Sequence, residues 1–385
     1  MRTLVITSAR VMLENNLYYV DNGLKITIDR YSRFFGDITL FGMDGSDKGK
    51  RSSGSVLLDN ADVKIMGSLK QLYLGRADKM IEEAIPRYDL IILRVPSMIC
   101  DKAASIARKN KKPYLVEVIG DAFGALWYHS IKGKLLAIPS MINTKKTIKK
   151  ADYAVYVSDR FLQSKYPCDR PSVGVSDCII REPSEVMLQK RVASIQNKDC
   201  KTVVLMNAAA IDVRYKGQEY VIKAIPLVNQ AGIRVKFYVV GNGNKSYLYQ
   251  IAEKCGVLDQ VIFTGGLSHE DVLTLMAESD IYIQPSLTEG IARSVVEALS
   301  TGCCCIGTDT GGLTELIADD FRIKPRDFDQ IANLVIRYVH YPKDVKMRIS
   351  ENAFERSRLY GVDRLNKKRE EYYNYVYSDL QRRNK

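Results

Sequence analysis

Two glutamates, Glu289 and Glu297, stand with seven residues between them in the run Pro285-Ser286-Leu287-Thr288-Glu289-Gly290-Ile291-Ala292-Arg293-Ser294-Val295-Val296-Glu297. An apolar strand ends at Gln284 and a helix begins near Ala292. The turn between them therefore gathers the backbone N–H groups of Gly290, Ile291 and Ala292 at a helix start, where the dipole favours negative charge. This is a place for a phosphate. A carboxylate inside such a site repels its ligand, so Glu289 and Glu297 suit hydroxyl-bearing groups on either side of a diphosphate. A nucleoside diphosphate sugar has that layout of ribose, diphosphate and hexose. Upstream, Arg214 and Lys216 precede Gly217 in a loop that follows another apolar strand. A planar fork and a compact charge both suit a diphosphate on which charge develops as a glycosidic bond breaks. Gly241, in Gly241-Asn242-Gly243, permits a close backbone approach to a ligand.

Two series of apolar strands must position these groups. The first is Thr3–Ser8, Asp37–Phe41, Leu90–Val95, Tyr114–Val118 and Ala154–Val157; the second is Thr202–Met206, Val235–Val240, Gln260–Phe263, Ile281–Gln284 and Cys304–Gly307. Helical stretches at Lys102–Lys109, Gln218–Asn229, Lys245–Cys255, His269–Glu278 and Ser294–Ser300 alternate with them. Near-continuous apolar strands between helices predict an α/β fold with two Rossmann-like, doubly wound parallel sheets. Two such domains facing each other across a cleft would bind ligands beyond the carboxyl ends of their strands. The expected domains are 1–180, on the acceptor side and joined by a C-terminal helix over 355–385, and 196–350, on the donor side. Pro167–Lys198 divides the series as a connection plus a helix. The tail carries Tyr360, Tyr372, Tyr373, Tyr375 and Tyr377, to be laid across the first domain or against a membrane.

At 385 residues, 46% hydrophobic and 26% charged, the chain has the balance of a soluble globular protein of two or three domains. No apolar run reaches the length of a membrane-spanning helix. The opening Met1–Arg10 reads as a buried strand and not as a secretory signal, which predicts a cytoplasmic protein. Charge is uneven, with net +10 over residues 1–200 and net +2 over 201–385. Lys132, Lys134, Lys145, Lys146, Lys149 and Lys150 concentrate the excess, which faces an anionic partner: a phosphate-bearing acceptor or an anionic membrane surface at the inner face of the cell membrane. A solvated surface that only aids solubility is the alternative. Aromatic-basic motifs and zinc-finger spacings are missing, so nucleic acid is not an expected partner. Eight cysteines without a Cys-x-x-Cys pair and three distant histidines favour buried thiols over disulfides or a metal site.

The stretch from Pro285 to Glu315, with Glu289-Gly290, Glu297-Ala298, Gly302, Gly311-Gly312 and Glu315, resembles the retaining glycosyltransferases of the group 1 or family 4 class, which have two Rossmann-like domains in the GT-B arrangement. The resemblance extends upstream to Val204–Gly217, Val239–Gly243 and Phe263–Gly265. It implies that Glu297 holds the ribose hydroxyls and Glu289 the donor sugar, with the backbone of Gly290, Ile291 and Ala292 near the diphosphate. It implies a nucleoside diphosphate sugar donor, UDP- or GDP-linked, with no metal and no tightly bound cofactor, and a glycan or lipid-linked acceptor in surface polysaccharide assembly. Lys216 matches the family lysine. The family arginine is replaced within Asn207-Ala208-Ala209, and Arg214 is the expected substitute. Cys304 stands where the family often has proline, and Val11–Asn16 replaces a glycine-rich first loop, leaving Asn15 and Asn16 as candidates to orient acceptor hydroxyls.

Such enzymes are thought to work by front-face attack, with the departing phosphate helping to remove the acceptor proton and a first-domain polar residue supporting the sugar. Glu117, Asp121 and His129 are the candidates for that support. The alternatives are that Glu117 pairs with an arginine, Asp121 caps the segment after it and His129 lies on the surface. A nucleotide-sugar epimerase of similar fold and a non-catalytic sugar-nucleotide-binding protein are the competing functions.

Overall fold

A computed structural model of the chain describes residues 1–46, 54–68, 71–72, 75–128, 131–180, 183–197 and 202–383. It divides into two compact units, Met1–Val175 with Lys368–Lys385, and Ser176–Lys367. Each is an α/β unit built on a parallel sheet, so the expected fold class of two Rossmann-like domains is the one observed.

In the first unit the strands are β1 (Arg2–Glu14), β2 (Leu17–Asp21), β3 (Asp37–Asp44), β4 (Ser55–Leu57), β5 (Asp62–Ile65), β6 (Leu90–Val95), β7 (Tyr114–Val118), β8 (Tyr153–Tyr156) and β9 (Ser172–Gly174). Parallel pairing runs in the order β5-β3-β1-β6-β7-β8-β9. Alternate side chains divide between two cores: Leu4, Ile6, Ile91, Leu93, Val116 and Val118 on one face, Val5, Leu90, Ile92, Leu115 and Val155 on the other. The second core is closed by the chain's own end. The helix Val362–Arg383 buries Tyr373, Val376 and Leu380 there. Its Tyr372 hydroxyl accepts from Ala154 N (3.0 Å) and donates to the Pro171 carbonyl (2.6 Å).

Val11–Asn16 is strand and turn. It forms the outer part of β1 and a two-residue hairpin turn into β2, with Glu14 opposite Leu17. Asn15 and Asn16 have φ of 51° and 60°, the left-handed conformations such a turn requires and asparagine tolerates. Their task is to reverse the chain.

The second unit carries β10 (Thr202–Ala208), β11 (Arg234–Val240), β12 (Val261–Gly265), β13 (Ile281–Gln284), β14 (Cys304–Thr308) and β15 (Arg322–Ile323), all parallel in the order β12-β11-β10-β13-β14-β15. The winding reverses between β10 and β13. Loops leaving these neighbours diverge to opposite faces of the sheet and leave a crevice at their carboxyl ends. Cys303, Cys304 and Cys305 are buried at β14, where burial pushes all three thiols up and leaves them as apolar filling. Cys304 in place of proline therefore changes the interior of a strand and leaves the crevice lining alone.

Candidate functional site

A cavity of about 570 Å³ opens at that reversal, within the range of small-ligand sites. Its walls come from the ends of β10 (Ala208–Ala210) and β11 (Val240–Asn242), from Gln284 at the end of β13, and from the segment Glu289–Glu297. Of the sequence-predicted donor residues, Lys216, Gly241, Glu289, Ile291, Ala292 and Glu297 line it.

The helix Arg293–Ser300 begins after Ala292, whose side chain makes no capping hydrogen bond. Alanine is a poor N-cap because it has no acceptor for the first N–H groups. Val295 N turns back to the Ala292 carbonyl at 3.1 Å, and Ala292, Arg293 and Ser294 of this helix start line the cavity. The turn before them is held from outside by Gly311-Gly312: a Cβ on Gly312 would come 1.6 Å from the Gly290 carbonyl oxygen, and Gly312 N donates to the Glu289 carbonyl at 3.2 Å. A similar contact explains Gly241, at φ 147°, where a Cβ would meet the Ala209 carbonyl at 2.0 Å. Cys178 Sγ approaches the Ile291 carbonyl at 3.6 Å, its thiol pushed up to about 12 by burial.

Glu289 Oε1 accepts from Lys216 Nζ (2.7 Å), Ser286 Oγ (2.7 Å) and Gln284 Nε2 (3.1 Å). Gln284 is oriented in turn by the buried Tyr282 hydroxyl at 2.9 Å. The carboxylate is thus locked by three donors, and a lysine read as a phosphate ligand shares its charge with the acid read as a sugar ligand. Glu297 is buried, lines the cavity and is bonded through Oε1 to Arg293 Nε (3.1 Å) and His269 Nε2 (3.0 Å).

Arg293 and His269 line the cavity and were not singled out by sequence reasoning. The spacing of Arg293 and Glu297, one helical turn apart, carried a signal; nothing local pointed to His269, which arrives from a different helix. Arg214 takes another course: its guanidinium stacks over the Tyr247 ring at 4.3 Å and is not among the lining residues. Asn207 is buried at β10 and donates to the Ile283 carbonyl at 2.8 Å, so this position holds neighbouring strands together.

In the first unit the structure corrects two expectations. Glu117 is 1% exposed, and its Oε2 accepts from Arg94 Nε and the Tyr31 hydroxyl, both at 2.7 Å. It points to the core sealed by the C-terminal helix, so it is a buried pair and not a support for a sugar. Asp121 caps the helix Ala122–Trp127 by accepting from Phe123 N (3.1 Å), and also takes Lys165 Nζ at 2.7 Å and the Tyr166 hydroxyl. Its capping alternative is the one the geometry carries. His129 lies outside the described residues.

Burial, the largest single influence, pushes the Glu117 carboxyl up, but Arg94, Tyr31, Arg30 and Arg369 together outweigh it and hold the group below its ordinary value of 4.5. A depressed folded-state value means that this stabilisation is present above about pH 4.5 and lost as pH falls through the folded-state value. Glu117→Gln is expected to cost about 2 kcal/mol at pH 7, because Arg94 loses a charged partner. The difference in urea midpoint between variant and parent should shrink on acidification towards pH 3; a pH-independent difference would refute the ionised pair.

A sequence model of the family described as Glycosyl transferases group 1 matches residues 191–356, the span that builds the cavity. Over this span, 166 of the 385 residues, the chain is similar to the group 1 glycosyltransferases. The chain is 34% identical over 259 residues to Protein CapJ of Staphylococcus aureus, covering 66% of this chain and 64% of the relative. It is 28% identical to the phosphatidylinositol N-acetylglucosaminyltransferase gpi3 subunit of Schizosaccharomyces pombe over 48% of this chain and 40% of that one. The chain thus spans less than two thirds of the length of either relative. Among solved structures, Anabaena HepE in complex with UDP matches with a TM-score of 0.67 at 16% identity, over 97% of this chain and 100% of its own. The lipopolysaccharide outer core galactosyltransferase WaaB matches with a TM-score of 0.63 at 17% identity, over 98% and 100%. At these identities the likeness to the two structures is one of fold.

Proposed function

We propose that the chain is a retaining glycosyltransferase that moves a sugar from a nucleoside diphosphate sugar to a glycan or lipid-linked acceptor in surface polysaccharide assembly. The observation that carries this reading is the cavity at the strand reversal, where an uncapped helix start lies between two carboxylates and beside Lys216. The diphosphate takes the free N–H donors of the turn, Glu297 accepts from the ribose hydroxyls, and Glu289 faces the transferred sugar. Lys216 Nζ, already 2.7 Å from Glu289, bridges that carboxylate and the leaving phosphate. Charge that builds on the phosphate as the glycosidic bond breaks meets donors already in place. With Arg214 engaged on Tyr247, Arg293 is the second cation of the donor site. The UDP complex of HepE supports the donor class, and the named activities of WaaB and the gpi3 subunit support a glycan or lipid acceptor.

A melting-shift and calorimetric screen against UDP-, GDP-, ADP- and TDP-sugars tests the donor assignment, and the anomeric configuration of the product by NMR tests retention. Silence toward every nucleoside diphosphate sugar refutes the reading, while an epimerised sugar released without acceptor moves the protein to the epimerases. Glu289→Ala is expected to lower turnover at least about tenfold more than it weakens the free nucleoside diphosphate, because its carboxylate is assigned to the sugar. Parallel losses of both would show that Glu289 serves the diphosphate.

A further inference from the structure

The helix Ile131–Lys149 of the first unit is turned inside out relative to an ordinary surface helix. Its buried stripe is Gly133, Ala137, Thr144, Thr147 and Ile148, mostly small or polar. Its outward stripe is Ile131, Leu135, Ile138 and Ile142, exposed to 83%, 78%, 52% and 56%. The spacing i, i+4, i+7, i+11 places these four on one face, directly opposite the buried one. Packing against this unit does not require four large apolar residues where water would be.

Charge indicates what covers them. Between Asp121 and Asp152 the chain has no acidic residue, and the helix and its end carry Lys132, Lys134, Lys145, Lys146, Lys149 and Lys150. At about 100° per residue, Lys134 and Lys145 border the apolar stripe on one side and Lys132 and Lys146 on the other. The chain's single tryptophan, Trp127, precedes the helix with its ring 5.6 Å from Lys134 Nζ. An apolar stripe bordered by lysines, with an aromatic at the end, fits the plane between headgroups and acyl chains of an anionic bilayer. A protein partner would need carboxylates on both sides of an apolar ridge, whereas an anionic lipid surface supplies both at any orientation about the membrane normal.

We infer that the helix Ile131–Lys149 is a membrane-docking element that lies in the interface of an anionic bilayer. The sequence placed this attachment on Lys145–Lys150 and the C-terminal tyrosines. The structure shifts the apolar part towards this helix: Tyr372 and Tyr373 are buried in the first unit, and Tyr375 and Tyr377 are 38% and 41% exposed against 83% and 78% for Ile131 and Leu135. No helix among the described residues is long and apolar enough to cross a membrane, so the contact is peripheral for the described chain.

The test uses the full chain with vesicles of phosphatidylcholine alone or with about 30% phosphatidylglycerol, at low and high salt. Co-sedimentation and a blue shift of Trp127 emission should appear with the anionic vesicles and weaken with salt. Leu135→Gln with Ile138→Gln should lower partitioning by at least about tenfold. Lys145→Gln with Lys146→Gln and Lys149→Gln should lower it by about 10²-fold and weaken its salt dependence, with Lys132, Lys134 and Lys150 left in place. All five side chains are outward-facing, so melting temperature and nucleotide binding should stay at parent values; these controls separate failure here from failure of the donor assignment. Absent binding to anionic vesicles at low salt, or parental binding by the double variant carrying Leu135→Gln and Ile138→Gln, overturns the inference. So does a concentration-dependent dimer that this double variant abolishes, because the face would then belong to a second copy.

Discussion

Lys216→Ala is expected to lower the turnover of sugar transfer by about 10²–10³-fold, the effect of removing one preorganised donor from a developing anion. The ammonium lies 2.7 Å from Glu289 Oε1 and beside a turn whose N–H groups are neutral dipoles, so its full charge has no local replacement. Arg293, the second cation, is bonded to Glu297 at 3.1 Å and so serves the other carboxylate of the site. The substitution also strips Glu289 of its cation and leaves a carboxylate facing the diphosphate. Glu289→Gln in the Lys216→Ala background should therefore restore part of the loss in nucleoside diphosphate affinity, a coupling that a double-mutant cycle measures. Turnover within about threefold of the parent enzyme would remove Lys216 from the leaving-group role.

Glu297→Ala is expected to weaken nucleoside diphosphate binding by about 10²-fold, since hydrogen bonds from ribose hydroxyls to a charged acceptor are lost together. Arg293 and His269 both bond to Glu297 Oε1 in the parent, so their positions at the cavity mouth depend on it. A ligand without the 2′ and 3′ hydroxyls separates the direct contact from this indirect one. The parent should bind the deoxygenated nucleotide about 10²-fold less well than the natural one, and the variant should bind the two alike. A variant that still discriminates between them would transfer ribose recognition to another residue.

How much of this was legible before folding follows from how local each signal is. The five central strands of each series could be read because parallel strands covered on both faces are short, continuously apolar segments. The short strands β2, β4, β5, β9 and β15 were not read, because only their pairing makes them strands. In the proposed donor site Glu289 and Glu297 were legible because one strand, one turn and one helix carry them together. Arg214 could be seen as a charge in the right loop, but its contact with Tyr247 depends on a helix more than thirty residues further on.

By itself, the sequence determined the two α/β units, the phosphate-type turn and the pair of acids around it, all of which depend on periodicity and on spacing within about fifteen residues. Tertiary structure alone decided what each charge faces. It sent Glu117 into the core against Arg94 and Tyr31 under the C-terminal helix, paired Lys216 with Glu289, brought His269 to Glu297, and turned the large apolar residues of Ile131–Lys149 away from the unit's interior. The physical reason is common to all four. An ionised or apolar side chain has a stable place only relative to its surroundings, and those surroundings come from segments distant in the chain, whose meeting no local pattern records.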